Sequence, residues 1–161
     1  MTAYVGRLLA VDWGDRRIGL AVSDPTRTIA TPAGFIVRRA GKRPPIAELA
    51  RQAEEHGATG LVFGLPIDLA GDETDRSREV RQVGDELARR TGLPVRYVDE
   101  RFTTVTALRA IREQGGSTRG RKGDVDALAA TMLLRHALTL PDEPVGADDV
   151  STSTEQDSTG E

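Results

Sequence analysis

Acidic residues stand at three places where a sheet-based fold would bring them together. Asp12 interrupts the apolar run Leu8-Leu9-Ala10-Val11 near the C-terminal end of a predicted strand, and Asp99-Glu100 directly follow another, Pro94–Val98. Asp124 and Asp126 open an apolar helical stretch late in the chain. Strand alternation puts Asp12 on the face of Leu8 and Ala10. In parallel α/β sheets the C-terminal strand ends form the crevice where ligands bind. Converging carboxylates repel one another, more strongly once desolvated. A divalent cation removes that conflict, and all-oxygen donors favour Mg²⁺ or Mn²⁺. Two such ions roughly 4 Å apart would activate a water and stabilise the leaving oxygen of a phosphodiester. The chain has no cysteine and no close histidine pair, so no rival metal set competes.

Each acid also has a purely structural reading. Asp12 suits the start of the turn before Gly14. Glu100 suits an ion pair with Arg101, or a cap on a helix beginning near Thr103. Asp124 is a natural N-cap, and Asp126 is a first-turn acid favoured by the helix dipole. Single spacings leave both readings open.

The elements that must position these acids follow from pattern. Arg7–Trp13 and Arg17–Ser23 are short β-prone runs around Gly14-Asp15-Arg16, which suits a tight hairpin, and Ala33–Arg38 reads as a third strand. Pro44 and Pro45 open a helix to about His56, with Ile46, Leu49, Ala50 and Ala53 on one face and Gly57 ending it. Gly60–Phe63 is a short buried strand. The loop Gly64–Gly71 leads into a second helix with Val80, Val83 and Leu87 at helical spacing, stopped by Gly92. After Pro94–Val98 a third helix is predicted from Thr103 to about Gln114, then a basic, glycine-rich loop to Gly123. The last helix runs from about Val125 to Leu138, with Val125, Leu128, Met132 and Leu133 inward. Three consecutive strands followed by helical crossovers imply an antiparallel meander joined to parallel strands. The expected fold is α/β, a mixed five-stranded sheet flanked by helices.

Bulk properties set the bounds. At 161 residues and 38% apolar content the chain suits one domain with a real core. No run is long enough to span a bilayer, and MTAYVGRLLAVDW is not the pattern of a signal peptide. The expected location is therefore cytoplasmic, with no membrane partner. Of the 25 acidic residues, seven lie in 141–161, where Lys and Arg are absent. That leaves 18 acidic against 22 basic residues, a net +4, over 1–140. Residues 141–161 are expected to be a disordered acidic tail on a mildly basic domain of residues 1–140.

Four blocks resemble the YqgF/RuvX family, whose members are named as pre-16S rRNA nucleases or Holliday-junction-resolvase-like proteins. They are Leu9-Ala10-Val11-Asp12-Trp13-Gly14 with Ile18-Gly19-Leu20-Ala21-Val22-Ser23-Asp24; Gly64-Leu65-Pro66 with Gly71; Asp99-Glu100-Arg101-Phe102-Thr103-Thr104 with Ala107; and Asp126-Ala127-Leu128-Ala129-Ala130. They occur in the family's order over roughly residues 7–138. The resemblance implies a ribonuclease-H-like fold and assigns the catalytic and metal-binding roles to Asp12, Glu100 and Asp126. With that fold's strand order, Asp12 and Glu100 start about 9–10 Å apart at the backbone. Family members commonly carry Asn where this chain has Asp68, and Asp124 adds charge beside Asp126.

Arg109, Arg112, Arg119, Arg121 and Lys122 surround the loop before the last helix, with Arg76, Arg78 and Arg81 near the start of the second. Beside an acidic metal site, phosphate contact is the better reading than a solvated face. With only six aromatics, two of them in predicted core strands, no base-stacking platform is evident. The resemblance implies a metal-dependent nuclease acting in 5′-end processing of precursor 16S rRNA. One alternative is a resolvase of branched DNA, which would require a homodimer because two strands are cut. Another is a non-catalytic nucleic-acid-binding protein with this fold. Asp12 to Gly19 also resembles the phosphate loop of actin-like ATPases, but those close two such domains over ATP and 161 residues supply one.

Overall fold

A computed structural model describes residues 6–39, 41–101 and 122–141, and the side chains of all of these except 122–124. β1 (Arg7–Trp13), β2 (Arg17–Ser23), β3 (Ala30–Val37), β4 (Ala58–Leu65) and β5 (Val95–Asp99) form one sheet in the order β3-β2-β1-β4-β5. β2 is antiparallel to both β1 and β3, whereas β4 runs parallel to β1 and β5. The meander and the parallel crossovers read from the sequence are both present.

β1 is apolar on both faces because it is the central strand. Leu9, Val11 and Trp13 share a core with Leu49 of α1 (Ile46–Glu55) and with Val80, Val83 and Leu87 of α2 (Asp75–Thr91). Ala10 faces the other way, into a core with Ala21, Val62, Val98 and the helix α3 (Lys122–Thr139). Each fully buried Leu, Ile or Val stabilises the fold by about 1.5–3 kcal/mol. The second core is rich in alanine (Ala10, Ala21, Ala129, Ala130 and Ala137), so α3 lies close against the sheet. α2 is held at both ends by local chemistry. Thr74 and Ser77 form a reciprocal capping box, and Gly92 closes the helix in the left-handed conformation at φ 72°.

The differences from the sequence reading have physical causes. β3 starts at Ala30 rather than Ala33, and includes Pro32. Proline is tolerated there because β3 is an edge strand with one partner only. β4 runs Ala58–Leu65, longer than Gly60–Phe63, because Ala58 at one end and Gly64 and Leu65 at the other also pair in the sheet. α3 buries Asp126, Ala130, Leu133, Leu134 and Ala137, a stripe at helical spacing, whereas Leu128 is 44% exposed. Of the residues expected inward, Leu133 is fully buried and Met132 packs against the same core, whereas Leu128 points out; alanines join Leu133 and Leu134 on the packed side. The predicted helix Thr103–Gln114 and residues 142–161 of the acidic tail lie outside the described residues.

The β2–β3 connection is organised by Asp24. Its carboxylate accepts backbone N–H groups from Thr28 at 2.7 Å and Ile29 at 2.8 Å, as well as the Thr26 hydroxyl. The Ile29 N–H, followed by the Thr26 hydroxyl, holds the Asp24 pKa down at about 2. With the folded value below the ordinary 3.8, the stabilisation is fully present above 3.8 and is lost as pH falls through about 2. Asp24→Ala should therefore lower the melting temperature at neutral pH, and the gap to wild type should close as the pH is lowered toward 2. Thermal unfolding across pH checks this; a gap independent of pH would remove the carboxylate as its cause.

Candidate functional site

Asp12 lies opposite Gly19 in the β1–β2 ladder and, one step beyond the Val11–Phe63 pair, level with Gly64 of β4. Strand alternation puts all three on the α3 face. The two positions flanking Asp12 therefore carry no side chain, and each gap is filled by another part of the molecule. A Cβ built on Gly19 would stand 2.0 Å from the backbone oxygen of Asp126, so the first turns of α3 rest on that glycine. A Cβ on Gly64 would stand 2.0 Å from Oε1 of Glu100, so the Glu100 side chain lies across β4 through that gap.

Glu100 reaches this place by register. Val98 pairs with Gly64 and faces α3, and Glu100 follows two residues later on the same face. Its backbone N–H donates to Leu65 O at 3.3 Å, so β5 pairing continues to the acid itself. The backbone distance of about 9–10 Å between the first and fifth strands is thus bridged by glutamate's longer side chain over a glycine. Asp12 and Asp126 are 0% exposed and Glu100 3%. A first-turn acid serving only the helix dipole would face water. Asp126 instead heads the buried stripe of α3, with Arg17 Nη1 at 3.9 Å from its Oδ2.

Hard oxygen donors around gaps that one Cβ would fill suit a hard divalent cation. Among the described residues, however, no group of three His, Cys, Asp or Glu stands ready within joint reach of one ion. The acids share a face and a pair of gaps rather than a closed coordination shell.

The remaining residues singled out from the sequence divide in three ways. Arg109, Arg112, Arg119 and Arg121 lie outside the described residues, and Lys122 and Asp124 are described only as backbone in α3. Asp68 is exposed and its Oδ1 accepts the Asp72 N–H at 2.8 Å, which makes it a loop cap. The three arginines singled out near the start of α2 are engaged within the fold. Arg76 donates to Asp15 Oδ1 at 2.9 Å and to Trp13 O at 3.0 Å, while Arg78 pairs with Asp75 and Arg81 with Glu73. Arg101 closes on Asp99 at 2.7 Å, and that contact holds the Asp99 carboxyl below its usual range.

Sequence reading missed the part played by Gly19 and Gly64. The available signal was an isolated glycine inside a strand pattern, which marks close approach of another backbone or group.

Residues 6–140 match the family model described as RuvX, Holliday junction resolvase. The chain belongs to the RuvX family. A relative from Nocardioides sp., named "Putative pre-16S rRNA nuclease", is 42% identical over 136 residues, covering 83% of this chain and 87% of the relative. One of the same name from Rickettsia bellii is 37% identical over 131 residues, covering 81% and 84%. Among solved structures, Thermus thermophilus RuvC in complex with a Holliday junction substrate superposes with a TM-score of 0.50 at 16% identity, over 82% of this chain and 92% of that one. That likeness establishes the ribonuclease-H-like fold expected from the RuvX-type blocks. The family and the relatives' names likewise bear out the nuclease expectation.

The two RuvX glycines should respond differently to alanine. Gly64→Ala meets a flexible side chain, that of Glu100 from carboxylate to Cγ, so it should melt closer to wild type than Gly19→Ala while displacing Glu100 and reducing cleavage roughly 10–100-fold, the scale for removal of a positioning partner. Gly19→Ala meets helix backbone and should destabilise the fold by about 1–3 kcal/mol. Melting curves with a cleavage assay separate them. Equal destabilisation by both would show that Glu100 is fixed in place.

Proposed function

We propose that this RuvX protein is a metal-dependent nuclease that hydrolyses phosphodiester bonds in 5′-end processing of precursor 16S rRNA, working in the cytoplasm with Asp12, Glu100 and Asp126 as catalytic residues. The observation that carries this reading is the burial of three carboxylates around two glycine gaps on one sheet face. The relatives named as pre-16S rRNA nucleases supply the substrate. The same three acids are the proposed ligands of Mg²⁺ or Mn²⁺. Such ions, when bound, polarise a phosphoryl oxygen and lower the pKa of a water.

The three side chains are held to different degrees. Asp12 is set by the central strand and Asp126 by a helix packed on alanine and glycine, so both present oxygens from rigid elements. Glu100 extends from just past β5 on a longer side chain, which lets it adjust as substrate and ion enter. Arg109, Arg112, Arg119, Arg121 and Lys122 are the proposed phosphate contacts around the start of α3. Among the described residues, no helix is long and apolar enough to cross a membrane.

The description of the family as Holliday junction resolvases favours a second substrate, branched DNA, for which the protein would act as a homodimer.

The test compares wild type with Asp12→Asn on structured RNA and on junction DNA, with Mg²⁺ or Mn²⁺ and with chelator. Cleavage should need the ion, and the substitution should cost more than the roughly 10–100-fold loss that follows removal of an outer-shell partner. Purified protein that cuts neither substrate, or a variant that cuts as well as wild type, would leave only a binding role. In the basic loop, replacing Arg119, Arg121 and Lys122 by Ala should reduce the slope of log affinity against log salt by about 0.9 for each duplex phosphate no longer neutralised. An unchanged slope would remove the loop from the interface.

A further inference from the structure

β3 carries an aromatic ring onto the same sheet face as the buried acids. The ladders align Asp12 with Gly19 and Gly19 with Phe35, so the three residues form one row across three strands. Residues opposite one another in an antiparallel ladder share a face. Ile36 packs into the opposite core, which confirms the alternation. Phe35 is 45% exposed, and Val37, on the same face two residues later, is 62% exposed. Phe35 is the aromatic member of the large exposed hydrophobics among the described residues. Its register survives because the extra residue of β3 is taken up next to it: the ladder shifts between Gly19 and Ala21, and Gly34 adopts φ 85°.

Cations lie next to Val37, two residues along the strand from the ring. Arg17 stands opposite Val37 and within 3.9 Å of Asp126. Val37 also borders a recess lined by Arg39, Lys42 and Arg43, all exposed. Unlike Arg76, Arg78 and Arg81 of α2, these three have no ion-pair partner among the described residues. A solvent-facing ring in one row with an acid, and followed along its strand by cations beside Val37, matches a strand of nucleic acid, with base stacked and phosphates held.

We propose that Phe35 is a stacking platform for an unpaired nucleobase of the substrate, with Val37 extending its apolar surface and Arg39, Lys42 and Arg43 holding the adjoining phosphate. This rests on the nuclease reading above and adds a selection rule to it. A paired base is stacked on both faces within its helix, so the platform favours a single-stranded segment next to the cut. Two strand spacings separate Phe35 from Asp12, roughly 10 Å, which corresponds to about three stacked nucleotides at 3.4 Å each.

The test is binding of a short single-stranded RNA containing 2-aminopurine, and of its fully paired duplex, in the Asp12→Asn background without added metal. The single strand should bind with quenching of the fluorescent base at one position. Phe35→Ala should weaken that binding about 5- to 150-fold and abolish the quench, the loss expected for one base–aromatic stack. Phe35→Trp should keep both, Phe35→Leu neither, and duplex affinity should change little. Arg39, Lys42 and Arg43 replaced together by Ala should weaken binding without removing the quench. Because binding is read without cleavage, failure of the nuclease reading leaves this outcome visible. Unchanged affinity and quench in Phe35→Ala would overturn the platform. So would a change in sedimentation with unaltered RNA binding, which would assign the β3 edge to contact between copies.

Discussion

Carboxylates withdrawn from water on one face of a sheet repel one another and lose their hydration, so a fold that places three of them there must leave room for them and for whatever neutralises them. Here the room is made by omission. Gly19 and Gly64 flank Asp12 in the two neighbouring strands, and a single Cβ at either would collide with Asp126 or Glu100. Much of the α3 side of the molecule follows from that requirement. The helix must lie close to the sheet for Asp126 to meet Gly19, and close approach requires the alanines that line its packed stripe and the facing strands. The opposite face is under no such constraint, and its core is filled by Leu, Val, Ile, Trp and Phe.

The end of the sheet that carries Asp12 is braced from the side opposite the acids. Arg76 ties α2 to Asp15 and the Trp13 carbonyl. Arg38 lies 4.2 Å from the Trp13 ring, donates to Gly14 O at 2.8 Å and pairs with Glu79 of α2 at 3.0 Å. Both clamps hold the β1–β2 turn just beyond Asp12. Arg76 thereby spends charge that a reading of the sequence assigns to phosphate binding. At the β3 edge, by contrast, side chains such as Phe35 and Val37 stay uncovered.

The elements and their order were legible in the sequence, because hydrophobic period, prolines and glycines act locally. Asp12, Glu100 and Asp126 were legible as candidates, two from their position at strand ends and all three from the RuvX-like blocks around them. What stayed hidden depended on neighbours distant in the chain. The length of β3 was hidden because Pro32 is acceptable only on an edge, and edge position is a property of the whole sheet. The packed side of α3 was legible at Leu133 but not at its alanines, because alanine gains its value from what lies opposite it. Gly19 reads as a weak strand residue and Gly64 as the start of a loop until Asp126 and Glu100 are laid over them. The basic character of Arg76, Arg78 and Arg81 is plain in the sequence, but only packing decides that their charge is already matched. The sequence by itself determined which acids are candidates for the site and on which kinds of element they sit. Tertiary structure decided how they meet, because convergence across strands depends on register and on the space left by side chains that are not there.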